Sequence, residues 1–208
     1  MKILLTGFAP FGGQEINPSW EAVLRTDQSL FHGVVLEKLR LPVTFAGVMP
    51  LLREAAGEGT DAVILTGQAG GRDRVCLERA AVNRMRASRP DGDGFAPLDL
   101  AIRPGGPEAL LSTLPAADIL ARWEKAGVHG AESRDAGTYV CNRLMYGALA
   151  YFGERRPSVP CGFIHFPFLP SQAGEGIPWM PLEEMVLALH CCIAALSDGP
   201  KFPPDRDF

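Results

Sequence analysis

Three short, unbroken apolar runs constrain this chain more than any other feature. They are residues 1–6 (MKILLT), 61–66 (DAVILT) and 161–165 (CGFIH). None alternates polar with apolar. A strand that presents apolar side chains to both sides must be covered on both faces, which is the habit of parallel sheets. The first two runs stop at a glycine, Gly7 and Gly67, and the third runs into Phe166-Pro167. Helical segments lie between and after them. Asn17-Pro18-Ser19-Trp20 reads as a helix start, with Asn17 as the cap and Pro18 at the first position, where no N–H is needed. Further helices are expected over 50–57, 115–126, 140–152 and 181–196, and an extended segment over 33–43. Residues 75–84 read as extended or mixed. Strands alternating with helices predict an α/β sandwich with a mainly parallel sheet, whose ligands sit beyond the carboxyl ends of the strands.

Gly and Pro together make up about a fifth of the chain, 23 and 18 of 208 residues. They cluster between the apolar segments and so punctuate loops rather than forming a low-complexity tract. No internal repeat or linker divides the chain. One catalytic domain is expected over 1–196, followed by a flexible tail over 197–208. With 47% hydrophobic and 21% charged residues, disorder is excluded. The net charge of −4 lacks the basic bias of a nucleic-acid coat or an anionic-membrane binder. No run nears the roughly 18 apolar residues that span a bilayer. Five cysteines, an odd number, with no export signal point to a reducing cytoplasm rather than a disulfide scaffold. Their spacing with the four histidines matches no metal motif, so no metal or other cofactor is expected.

Each apolar run is followed by residues that can carry chemistry. After the first comes Gly7-Phe8-Ala9-Pro10-Phe11-Gly12-Gly13, which lacks both nucleotide-loop spacings. Phe8 and Phe11 suit either a small apolar pocket or packing beneath the loop. After the second come Gln68 and, further on, Glu78, a lone acid in an apolar setting: a solvated charge or an acid with a task. The third ends at His165, a histidine at a strand end. Ser133 to Asn142 forms a small-residue loop leading into a helix, with Cys141 in its first turn. Unpaired N–H groups there stabilise a thiolate, which would lower the pKa of Cys141, and they can also receive an oxyanion. The alternative is that Cys141, like most free cysteines, is simply buried.

The motifs Gly7-Phe8-x-Pro10-Phe11-Gly12, Asn17-Pro18-Ser19, residues 67–72 (GQAGGR), Glu78-Arg79 with Ala81-Val82-Asn83, Ala136-Gly137-x-Tyr139-Val140-Cys141-Asn142, and Gly162-Phe163-Ile164-His165 with Pro167 occur in this order. Across nearly its whole length the chain resembles the type I pyroglutamyl peptidases (pyrrolidone carboxyl peptidases). The resemblance implies a three-layer α/β/α sandwich of the phosphorylase/hydrolase-like kind. It implies a cysteine peptidase that removes an N-terminal pyroglutamyl residue, with Cys141 as nucleophile, His165 as base and Glu78 as the orienting acid. Phe8, Phe11, Gln68, Tyr139 and Val140 fall on the family's lactam pocket. Partners would be peptides with N-terminal pyroglutamate, and the family often forms dimers or tetramers. The apolar C-terminal helix and residues 88–107 are the candidate interfaces. Two positions depart from the family pattern. Ser88 stands where an Arg is common, with Arg89 one place later, and Phe166 replaces an aliphatic residue after the histidine, at the expected pocket edge. The rival readings are another enzyme on a similar sandwich, such as a nucleoside phosphorylase, and a non-catalytic binder of pyroglutamyl peptides.

Overall fold

The computed structural model describes residues 1–197, so the expected tail lies, apart from Ser197, outside the described residues. The three apolar runs become β1 (Lys2–Phe8), β3 (Ala62–Gln68) and β8 (Cys161–Phe166), each almost wholly buried. The sheet also takes in β2 (Val35–Leu41), β4 (Val75–Glu78) and β7 (Gly130–Ser133), in the order β2-β1-β3-β8-β4-β7. A separate two-stranded ribbon pairs β5 (Ala80–Val82) with β6 (Ala109–Leu111). The sheet is parallel throughout except between β8 and β4. The helices are α1 (Pro18–Arg25), α2 (Val48–Ala55), α3 (Ala116–Ala126), α4 (Val140–Arg155) and α5 (Leu182–Leu196).

Alternation along the strands divides the core in two. Ile3, Leu5, Ile64, Ile164 and Phe166 face α1, α3 and α5, while Leu4, Val63, Leu65, Cys161 and Phe163 face α2 and α4. These two apolar layers cover both faces of the sheet, which is why its strands read as continuous apolar runs. Truncating a fully buried residue such as Leu65 would cost about 2–5 kcal/mol.

Three elements, α2, β6 and β7, differ from the expectation. The helix expected over 50–57 starts two residues earlier, at Val48, because Pro50 is tolerated in a first turn, where its missing N–H has no partner to lose. The short strands β6 and β7 carry no periodicity in three or four residues and are held in place by tertiary contacts. Gly130 opens β7 because a Cβ there would lie 2.4 Å from the Trp123 ring of α3. Helix α5 buries Met185, Leu189, Cys192 and Ile193 in the core, while Leu182, Val186 and Leu187 on the same helix stay partly exposed.

Candidate functional site

Two local devices set the loop after β1. Asn17 caps α1: its Oδ1 accepts from Ser19 N at 3.1 Å and Ser19 Oγ at 2.8 Å, and its Nδ2 donates to Ala9 O at 3.1 Å. Ser19 Oγ in turn accepts from Phe8 N at 2.9 Å. A helix cap thereby also aims the Phe8–Phe11 loop. Gly7 is required because a Cβ there would meet the α1 backbone at 2.8 Å.

A second set places the start of α4. Asp135 Oδ1 accepts from Gly137 N at 2.9 Å, and Gly137 adopts φ +74° to turn the chain into the helix. Asn142, fully buried, donates to Val82 O and Arg84 O and accepts from Val82 N, each at 2.9 Å. Asn83 ties the 103–106 loop by bonds to Arg103 N and O at 2.8 Å each. The Ala81-Val82-Asn83 motif is thus the seat on which α4 is fixed. The first intrahelical bond recorded there runs from Arg143 N to Tyr139 O at 3.0 Å, so the N–H groups of Val140, Cys141 and Asn142 precede the helical ladder.

Cys141 meets the sheet at Gly67. A Cβ on Gly67 would lie 2.9 Å from Cys141 Sγ and 2.8 Å from the Phe163 ring. Gly67 is paired in register with His165 on the neighbouring strand, so the thiol rests where the His165 strand runs alongside. Strand β4 runs the other way: Cys76 lies opposite His165, and Glu78 opposite Phe163. Glu78 therefore reaches His165 diagonally on the same face, with His165 Nδ1 to Glu78 Oε1 at 2.8 Å. A carboxylate accepts, so Nδ1 carries the proton and Nε2 is left as the basic nitrogen.

The same Oε1 accepts from Arg72 Nη1 at 2.6 Å, while Arg72 Nη2 donates to Asp135 O at 2.6 Å. Arg72 thus links Glu78 to the loop that leads into α4. Glu78 is fully buried, and burial alone would raise its pKa. Hydrogen bonding and the charge of His165, with Ser133 and Arg72, outweigh burial and hold the carboxyl below its ordinary value. Burial lowers the pKa of His165, although Glu78 opposes this.

The expected lowering of the Cys141 pKa is corrected. Burial first, then the charge of Glu78, push the thiol up to about 12, against the opposing pull of Arg72, its own backbone hydrogen bond and Arg89. Desolvation outweighs the helix N-terminus because the sulfur is packed against Gly67 with a buried anion close by. Cys161, a core residue, is also pushed up to about 12, so what distinguishes Cys141 is its position.

Cys141 lies at the border of two cavities. One, of about 300 Å³, is lined by Phe8, Phe11, Gln68, Tyr139 and Phe168. The other, of about 420 Å³, is lined by His165, Arg72, Asp135 and the 86–89 segment. Gln68, Gly70, Arg89 and Tyr139 border both, as does Cys141. The predicted residues Phe8, Phe11, Gln68 and Tyr139 are therefore brought to Cys141. Val140 is not: its side chain is fully buried against α2 and the sheet and lines neither cavity, because the first turn of α4 points it inward. Phe166 is likewise corrected. It alternates with His165 along β8 and is buried on the opposite face of the sheet, away from the pocket edge.

Sequence reasoning assigned no role to Arg72 or Phe168. The signal for Phe168 was Gly70, where a Cβ would fall 2.0 Å from the Phe168 ring. Arg89, shifted by one place, still reaches the site, its guanidinium 5.1 Å from the Phe11 ring centroid and 5.6 Å from that of Tyr139.

The sequence and the fold both match known proteins. A family model described as pyroglutamyl peptidase matches residues 1–198. The chain is 46% identical to a pyrrolidone-carboxylate peptidase of Thermococcus onnurineus over 195 residues, 93% of this chain and 97% of that one. It is 43% identical to that of Erwinia tasmaniensis over 196 residues, 93% and 91% of the two chains. The crystal structure of pyroglutamyl peptidase I from Bacillus amyloliquefaciens superposes with a TM-score of 0.88 at 38% identity, covering 94% of this chain and 95% of that one. On sequence, on fold and across nearly its full described length, the chain belongs to the pyroglutamyl peptidase family.

Proposed function

We propose that this enzyme hydrolyses the bond between an N-terminal pyroglutamyl residue and the rest of a peptide, with Cys141 as nucleophile, His165 as general base and acid, and Glu78 as its orienting partner. The observation that carries the reading is the buried Glu78–His165 bond of 2.8 Å on the face of the sheet where Cys141 Sγ rests against Gly67. Neither a nucleoside phosphorylase nor a passive binder has use for a thiol and an oriented imidazole in that arrangement.

A thiol raised by burial and an imidazole lowered by burial rest as a neutral pair. His165 Nε2 then removes the thiol proton as Sγ attacks the pyroglutamyl carbonyl. Charge that develops on the carbonyl oxygen meets the unbonded N–H groups at the start of α4. The imidazolium, steadied by Glu78, gives its proton to the leaving amine as the C–N bond breaks, and a thioester remains. Water that loses a proton to His165 attacks the thioester, which releases pyroglutamate and restores the thiol. The residues of the reaction are all on this chain, and no step calls for a cofactor.

The lactam ring occupies the smaller cavity between Phe8, Phe11 and Phe168, with Gln68 as a polar partner. The rest of the peptide extends along the cavity lined by His165 and Arg72. A free N-terminal Gln would carry an ammonium into the aromatic slot, at a desolvation cost that disfavours it. The five cysteines are all free, which suits a reducing cytoplasm. The apolar side chains Leu98, Leu100 and Leu111, exposed at 84%, 49% and 69%, support self-association through the ribbon region.

Release of a chromogenic amine from its pyroglutamyl derivative tests the reading. C141A should abolish turnover, and C191A should leave it unchanged. Normal turnover by C141A would refute the assignment.

A further inference from the structure

On the far flank of α4 lies a third cavity, of about 450 Å³, that the proposed peptidase reaction does not use. Its charged lining is lopsided: Arg53 of α2, Arg143 and Arg155 of α4, Arg103 of the preceding loop, and a single acid, Glu154. Glu154 is engaged by Arg103. Among the described residues, Arg53, Arg143 and Arg155 have no carboxylate within ion-pair distance. This concentration of positive charge stands out in a chain whose net charge is −4.

The arrangement is built rather than loose. Arg53 and Arg155 are both held against the Tyr151 ring, at 5.6 and 5.1 Å from its centroid. Arg143 is only partly exposed and runs along its own helix toward Gly147. Its Nη1 lies 2.7 Å from where a Cβ on Gly147 would be, and Met49 Sδ of α2 lies 2.6 Å from the same point, so the glycine leaves room for both side chains. A glycine inside a helix is unfavourable relative to alanine, and here it makes room for a half-buried cation. Burial and the like charge of Arg53 hold the Arg143 guanidinium below its ordinary pKa, a strain that a bound anion would relieve.

We propose that this cleft is a binding site for a compact, multiply charged oxyanion of the phosphate class, such as a phosphate, a pyrophosphate or the phosphate chain of a larger molecule. Guanidinium groups present paired donors that match phosphoryl oxygens. Arg143, Arg53 and Arg155 line the cleft, and the Tyr151 ring holds Arg53 and Arg155. The inference is independent of the peptidase reading, because it shares no residue with the Cys141 site.

Calorimetric titration of the full chain with inorganic pyrophosphate tests it. Saturable one-to-one binding is expected. R143Q and R53Q should each weaken it by about tenfold, the scale of one charge-assisted hydrogen bond. Arg53 is exposed, so R53Q keeps the test valid even if R143Q folds poorly. G147A, which crowds the Arg143 guanidinium together with Met49, should weaken binding as well. R134Q, at an exposed arginine that lines none of the three cavities, should not. Inorganic phosphate and ATP run in parallel distinguish a free anion from a nucleotide tail. Absence of saturable binding, or unchanged binding by R53Q and R143Q, would overturn the proposal. So would sedimentation in which these variants dissociate an oligomer while pyrophosphate binds nowhere, since the cleft would then be a contact between copies.

Discussion

Replacement of Arg72 by Met tests the electrostatic design of the site at a residue that does not react. In the intact protein Arg72 Nη1 and His165 Nδ1 lie 2.6 and 2.8 Å from the same Glu78 oxygen. The two nitrogens are thus at most about 5.4 Å apart, a separation at which unit charges interact by about 3 kcal/mol at an effective dielectric of about 20. That would shift a pKa by about 2 units. Arg72 is 27% exposed, and solvent screening reduces the effect to about 1 unit. The sign follows from the charges. Arg72 disfavours the imidazolium, so its loss raises the His165 pKa. The basic form of His165 then requires a higher pH, and the acid limb of the kcat/KM profile should move alkaline by about 1 unit. Removal of a charge-assisted hydrogen bond that steadies Glu78 should also lower kcat by about tenfold. The assay is hydrolysis of a pyroglutamyl chromogenic amide from pH 5 to 9, with R72K as the charge-preserving control and thermal melts to verify folding. An acid limb that stays in place, or moves to lower pH, in a folded R72M protein would refute the argument.

Other outcomes follow from the same contacts. Because the free thiol is held up at about 12, its alkylation by iodoacetamide should accelerate steadily as pH rises; a fast, pH-independent rate down to pH 5 would instead reveal a resting thiolate–imidazolium pair. G70A forces the Phe168 ring out of the smaller cavity and should raise KM by about tenfold with little change in kcat, as read by steady-state kinetics; the expected cost of overpacking is about 1–3 kcal/mol. N142A strands Val82 N, Val82 O and Arg84 O, and about 3 kcal/mol of stability should be lost. At this chain length that corresponds to a fall in Tm of about 6–12 °C, measurable by calorimetry.

The chain's layered α/β character was legible in the sequence because it is a matter of pattern. An apolar run without alternation has only one inexpensive environment, between two helical layers, and residues 1–6, 61–66 and 161–165 all went there. Asn17-Pro18 wrote the start of α1 in purely local chemistry, a cap bond to Ser19 and a proline where no donor is needed. Cys141, His165 and Glu78 stood out as candidates in the sequence, since each sits in a short motif at the end of a regular element, whereas Arg72 and Phe168 did not. What no local pattern carries is direction and distance. That β4 runs antiparallel to β8, so that Glu78 meets His165 on the diagonal, depends on a pairing between residues 87 positions apart. That Val140 and Phe166 turn into the core follows from which face of α4 and β8 is covered. The pKa of Cys141 belongs to the same class. The helix N-terminus is local and argues for a thiolate, but packing against Gly67 and the charge of Glu78 are tertiary, and in a desolvated site they prevail. Sequence alone determined which groups this protein has for chemistry; only the packed structure decided their partners, their protonation and the empty space between them.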